Sequence, residues 1–268
     1  MAGVVDPQAL ARTYSVRTHD DPWAVVEEYR TVMSYHDEHP DEGSGAVSTT
    51  FDLPRGRVHN WLEGGKPEPV KAIKTADENG WIDSPWESDI GHAFNTLVAA
   101  IFSSGGISTR DHVPTFVVSA NTEPIIRQAL DTIGCGATAY DERPNRSTEL
   151  VPAKHKAHVG RALTVLGAPV GRKNDRAEIT LPDYLASAPA ALRVEFVRVY
   201  VTLRGVRRTG RDTDALAIKE LRSKSFHESL AELIESVTDE QIRLWDSEMA
   251  IWLSPEALAD LDIPIGQA

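Results

Sequence analysis

The chain has 268 residues, 41% of them hydrophobic and 25% charged, with a formal net charge of −12; these values predict one large or two modest soluble domains with a substantial core. No apolar run approaches bilayer-spanning length and the opening MAGVVDPQALARTY lacks a basic-then-apolar leader, so a cytoplasmic location is expected. Cys135 is the only cysteine, which excludes an intrachain disulfide or a thiolate metal cluster, and within IGCGA it reads as a buried apolar filler.

In chain order, residues 1–21 show no sustained periodicity and predict a flexible arm. Trp23–His36 places Trp23, Val26, Tyr29 and Met33 three or four apart, the spacing of an amphipathic helix. The tract His36–Gly45 ends it; His36, Asp37, Glu38 and His39 are metal-ligand types, but the run reads as a solvated acidic loop. Ala46–Gly65 predicts a helix-turn-helix: a short helix with Val47 and Phe51, a tight Asp-Leu-Pro turn, and a second helix from Pro54 through Leu62 stopped by Gly64 and Gly65. Val58, Trp61 and Leu62 then face inward. Arg55, Arg57, His59 and Asn60 are left on the other faces, and such side chains read base edges and phosphates. Val70–Asn79 adds a helix, so residues 22–83 are expected to form the helix-turn-helix domain and 84–90 an acidic linker.

His92–Ser108 and Arg193–Arg208 are each an apolar helix-like run that ends in a glycine and leads into a short strand-like segment, as two copies of one unit would. Ala99, Ala100, Ser103 and Ser104 are small enough to let two helix backbones approach closely. After the first run, Ile107–Arg110 and Thr115–Ser119 predict a hairpin, Glu123–Ile133 a helix, Ala137–Tyr140 and Glu149–Pro152 strands, and Lys154–Leu166 a helix. The second half repeats the order: a strand over Ala215–Leu221, a helix over Phe226–Val237, a hairpin from Gln241–Leu244 and Met249–Leu253, and a helix over Pro255–Leu261.

Leu97–Ser108, LVAAIFSSGGIS, resembles the LAGLIDADG motif of homing endonucleases, and Phe196–Arg208, FVRVYVTLRGVRR, resembles its second copy. Leu166–Phe196, with its glycine-bearing turn, Lys173 and the Leu181-Pro182 helix start, is similar to the link between the family's halves. The resemblance implies an α+β fold for the region from Gly91 onward: two αββαββα halves, residues 91–170 and 171–268, related by a pseudo-twofold axis where the motif helices pack. It also implies where catalytic acids belong, just before the last glycine of each motif, where they hold metal ions over the scissile phosphates. Ser104 and Arg204 stand there instead. A serine is a poor ligand for a hard cation and an arginine repels one, so no catalytic residue, metal site or cofactor is expected.

The expected partner is double-stranded DNA, bound by a monomer or homodimer in contact with the transcription machinery, and no membrane. Candidate contacts are Arg55, Arg57, His59 and Asn60 in the helical domain, and Arg110, Arg172, Lys173, Arg204, Arg207, Arg208 and Arg211 around the motifs, with Arg176 and Arg198 in the same basic clusters. The acidity of the chain opposes DNA binding in dilute salt. Few lysines beside abundant Asp and Glu point instead to high internal salt, where counterion release contributes little and shape and base contacts carry the binding. These residues are read as a sequence-specific DNA-binding transcription regulator on an inactive scaffold. Two alternatives stay open: a metal-dependent endonuclease using Asp111 or Glu195, and a ligand-sensing or protein-interaction module.

Overall fold

A computed structural model describes residues 3–140, 147–174, 178–207, 215–245 and 250–264. The chain divides into two compact units, residues 5–82 and a second made of residues 83–268 with the first four residues.

The smaller unit is helical: α1 (Pro7–Arg12), α2 (Pro22–Glu38), α3 (Ser44–Phe51), α4 (Arg55–Leu62) and α5 (Glu68–Glu78). Residues 3–21 depart from the expected flexible arm. Asp6 caps α1 by accepting from Ala9 N at 2.7 Å, Pro7 supplies a pre-set first turn, and Leu10 and Ala11 are fully buried. A single helix of six residues is too short to print a 3.6-residue period, which is why the sequence pattern missed it. Asp21 and Pro22 start α2 in the same way, with Asp21 accepting from Trp23 N at 3.0 Å.

Helices α3 and α4 are joined at Asp52, which takes the left-handed conformation with φ 51°. Ser48 Oγ donates to Leu53 O at 2.6 Å and holds the turn closed. Val47, Val58 and Trp61 share one core with Tyr29 and Val32 of α2, and the Tyr29 and Trp61 rings meet edge to face at 5.4 Å.

The larger unit begins with α6 (Asp89–Ser103), followed by β1 (Gly106–Ile107), β2 (Pro114–Val118), α7 (Glu123–Thr132), β3 (Ala137–Tyr140), β4 (Thr148–Pro152) and α8 (Lys156–Val165). A 3₁₀ turn, Asp183–Ala186, lies in the link. The second half is α9 (Ala190–Arg204), β5 (Val206–Arg207), β6 (Leu216–Lys219), α10 (Lys224–Glu235), β7 (Arg243–Trp245), β8 (Ala250–Leu253) and α11 (Pro255–Asp260). Both sheets are antiparallel with equivalent strand orders, β1-β2-β4-β3 and β5-β6-β8-β7.

Alternation sorts each sheet into two faces. Phe116 and Leu150 in the first and Ile218 and Ile251 in the second are fully buried. The register puts Val117, Glu149 and Tyr140 side by side on the opposite face of the first sheet. Val206, Ala217, Trp252 and Arg243 form the matching row of the second.

Candidate functional site at the paired motif helices

The two motif helices, α6 and α9, pack against each other. Asn95 Nδ2 donates to Leu192 O at 3.0 Å, and the Phe102 and Phe196 rings meet at 6.1 Å. Ala99 and Ala100 are fully buried, as small residues at a close helix crossing should be. Both helices end at a glycine that tolerates no side chain. A Cβ at Gly105 would lie 2.8 Å from Thr115 O, and one at Gly205 would lie 2.7 Å from Val201 O.

The residues before these glycines act in parallel. Ser104 Oγ donates to Val117 O at 2.8 Å, and Arg204 Nη2 donates to Lys219 O at 3.2 Å, the matching region of the other half's sheet. Each of these two residues is a strut between its motif helix and the second strand of its own half.

The helix ends open into a cleft of about 760 Å³ lined by Ser103, Ser104, Lys173, Arg204, Glu220 and Arg222, among others. Glu220 is its one carboxylate among the described residues. Tyr200 OH donates to Glu220 Oε1, while Oε2 lies 3.3 Å from Arg222 Nε and 3.7 Å from Arg204 Nε. The Glu220 and Arg222 side chains are each only 3% exposed. Burial, reinforced by Glu220, holds the Tyr200 phenol well above its ordinary pKa and keeps it a donor.

The last carbonyls of α6 are met by cations. Lys173 Nζ donates to Ile101 O and to Phe102 O at 3.1 Å, and Arg222 Nη2 donates to Phe102 O at 2.8 Å. Unpaired carbonyls at a helix C-terminus carry partial negative charge, so an ammonium and a guanidinium suit them. Burial, then the charge of Arg222, pushes the Lys173 ammonium down to about 7.

This donor set does not fit a divalent metal. A hard cation needs several free oxygens, whereas Glu220 is already held by a phenol and two guanidiniums, and Ser104 is committed to Val117 O. Among the described residues, no three His, Cys, Asp or Glu come together as ligands.

The larger unit has a LAGLIDADG-like fold. Its paired motif helices and two halves with equivalent sheets are the arrangement the sequence resemblance implied. No protein-family model matches the chain and no curated protein matches it. Solved structures that resemble it include full-length DUF199/WhiA from Thermatoga maritima, 12% identical with a TM-score of 0.47, where the match covers 73% of this chain and 61% of that one. The homing endonuclease I-WcaI bound to its DNA recognition sequence is 14% identical with a TM-score of 0.46, over 75% of this chain and 88% of that one. I-DmoI in complex with DNA and Mn is 11% identical with a TM-score of 0.40, over 67% and 99%. Likeness at these values carries nothing about activity.

The sequence-derived contact candidates are placed unequally. Arg55, His59 and Asn60 are exposed on α4, but Arg57 is half-buried and donates to Glu28 Oε1 at 2.9 Å. Arg110 and Arg172 are exposed in turns and Arg207 on β5. Lys173 corrects the expectation of an outward, phosphate-facing lysine, because the bare carbonyls of α6 draw it inward. Arg204 is a strut at the cleft rather than a free surface cation. Arg198 is tied to Leu261 O at 2.6 Å and Asp262 at 2.9 Å. Arg176, Arg208 and Arg211 lie outside the described residues.

The alternative acids are also elsewhere. Asp111 is exposed in the turn after β1, its carboxyl lowered by a hydrogen bond from Ser108. Glu195 lies roughly 15 Å along α9 from Gly205 at 1.5 Å per residue. There it accepts from His92 Nδ1 at 2.9 Å and Asn95 Nδ2 at 2.8 Å. Asn95 Oδ1 in turn accepts from Tyr184 OH at 2.8 Å.

Sequence reading missed Tyr200, Glu220 and Arg222, and it missed Lys219, Arg243 and Trp252 on the outward face of the second sheet. Lys219 Nζ sits 5.7 Å from the centre of the Trp252 ring. Strand alternation identifies Lys219 as outward, but no local signal pairs Glu220 with Tyr200 and Arg222.

Proposed function

We propose that the protein is a DNA-binding regulator whose LAGLIDADG-like unit occupies DNA without cutting it. The carrying observation is the pair of motif ends. Where the family's two acids would hold metal ions, Ser104 and Arg204 brace the sheets, and the one carboxylate among the cleft's described residues is held by Tyr200, Arg204 and Arg222.

In this reading the outward sheet faces lie against the duplex. Lys219 and Arg243 meet phosphates, and Trp252 supplies apolar contact to the sugar edge. The helical unit acts as a helix-turn-helix, with α4 as the recognition helix. Arg55, His59 and Asn60 then approach the groove, and Arg57, held by Glu28, fixes the pitch of α4.

Two assays test the proposal. In the first, mobility shifts on promoter fragments in high potassium chloride should show a complex, and Arg55→Ala with His59→Ala should weaken it selectively on the preferred sequence. Lys219→Ala with Arg243→Ala should weaken it on all sequences and lower the salt slope by ~1 per phosphate contact removed. In the second, supercoiled DNA incubated with the protein and magnesium or manganese should stay supercoiled; protein-dependent nicking would restore the endonuclease alternative.

A further inference from the structure

Among the described residues, the cleft at the ends of α6 and α9 holds more positive charge than negative: Lys173, Arg204 and Arg222 face one carboxylate, Glu220. Arg222 is buried, yet its Nη1 has no hydrogen-bond partner, while the Nε of Arg204 reaches only the edge of Glu220, at 3.7 Å. A buried guanidinium N–H without an acceptor is costly, and the one on Arg222 points to an acceptor that comes from outside the chain. The remaining lining is rich in hydroxyls, with Ser103, Ser119, Thr122 and Thr202 among them. Guanidinium forks and hydroxyl donors together are the chemistry that recognises a tetrahedral oxyanion.

We propose that this cleft binds a small free phosphate-class oxyanion, an inorganic phosphate or a phosphomonoester, gripped between Arg222 and Arg204 with hydroxyls completing its shell. The place left by the missing metal acids has thus changed sign, from one that collects cations to one that collects an anion. A tethered duplex backbone is the poorer occupant, because Arg222 lies inside the cleft while the exposed cations, Lys219 and Arg243, stand on the sheet face. The cations bonded to the last carbonyls of α6, Lys173 and Arg222, stand between an anion in the cleft and the negative end of that helix.

The test is calorimetric titration of the full chain with inorganic phosphate, without DNA and at constant ionic strength in potassium chloride. One saturable site is expected, displaced by sulfate and indifferent to chloride. Because burial and Arg222 hold the Lys173 ammonium near 7, binding should take up protons at pH 8, read as a heat that changes with buffer. Arg204→Gln should weaken phosphate at least tenfold and Arg222→Gln should abolish its binding. Should Arg222→Gln not fold, Arg222→Lys keeps the charge and loses the planar fork, and the same weakening of tenfold or more is expected. Absence of saturable phosphate binding by the unmodified chain overturns the proposal, as does binding that both variants leave unchanged. If phosphate does not bind but the same variants weaken a DNA complex, the proposal also falls, and the cations belong to the duplex backbone. Since no DNA is present in the titration, its failure leaves the DNA-binding reading standing.

Discussion

The two halves of the LAGLIDADG-like unit share strand order, motif helix and terminal glycine, yet their chemistry differs. At the motif end the first half has Ala100 and Ser104, a methyl and a hydroxyl, where the second has Tyr200 and Arg204. The strand end beside them carries Val118 in the first half and Glu220 in the second, each just past or at the end of its second strand. On the outward faces, the first sheet presents Val117, Glu149 and Tyr140 while the second presents Lys219, Arg243 and Trp252. The pseudo-symmetry therefore survives in the backbone and is lost in the side chains. Backbone symmetry is set by packing of small and apolar residues, which both halves share, whereas charge at the helix ends is set by side chains that they do not share.

The largest test of that difference is the removal of the negative charge from the second half. Glu220→Gln keeps an acceptor for Tyr200 but leaves the buried Arg222 without its counter-charge, and such a change costs ~3–5 kcal/mol. The midpoint of urea unfolding should fall accordingly. A loss below ~1 kcal/mol would mean that the cluster behaves as a solvated surface pair, and the contrast between the halves would lose its energetic content.

A second test separates Lys173 from its neighbours by pH. Burial holds its ammonium down to about 7 in the folded chain, below the ordinary lysine value of 10.5. Between those values the unfolded chain binds more protons than the folded one. Stability contributed by this group therefore rises with pH through the window, with a slope approaching ~1.4 kcal/mol per pH unit. Lys173→Met should remove that rise, so the stability difference between the two proteins should change steadily from pH 7 to 9.5. The Cys135 thiol, which burial pushes up to about 12, acts alike in both and cancels. Parallel pH curves for the two proteins would show that Lys173 titrates as an exposed lysine.

Much of this architecture is legible in the sequence, for stated reasons. The helices α2, α7 and α10 announce themselves because one face of each is apolar at helical spacing, and the motif glycines mark the helix ends because Gly105 and Gly205 have no room for a Cβ. Helix α1 was hidden by its shortness, its capping by Asp6 and Pro7 being clear only once Leu10 is seen to be buried. The cleft was legible only by its losses, Ser104 and Arg204. Its gains, Tyr200 with Glu220 and Arg222 with the carbonyl of Phe102, join residues distant in the chain, and no local pattern encodes a charge balance made by tertiary contact. Lys173 shows the same limit, since a lysine in a glycine-bearing turn reads as solvated until the bare end of α6 is placed beside it.

The smallest expected effect compares the two struts directly. Ser104→Ala removes one neutral hydrogen bond, to Val117 O, at a half-buried position, and should cost ~0.5–1.5 kcal/mol. Arg204→Ala removes the donor to Lys219 O and one of the two guanidiniums beside Glu220. The Arg204 side chain is 40% exposed, so water screens its charge, and Arg222 still holds the carboxylate; the net cost should also be ~1 kcal/mol. If the two positions are equivalent struts on a symmetric backbone, the double variant should be additive within ~0.5 kcal/mol, because they share no partner. A larger coupling would mean that the helix ends communicate through the cleft between them, and urea unfolding of the four proteins with and without phosphate would then show whether that coupling depends on the anion.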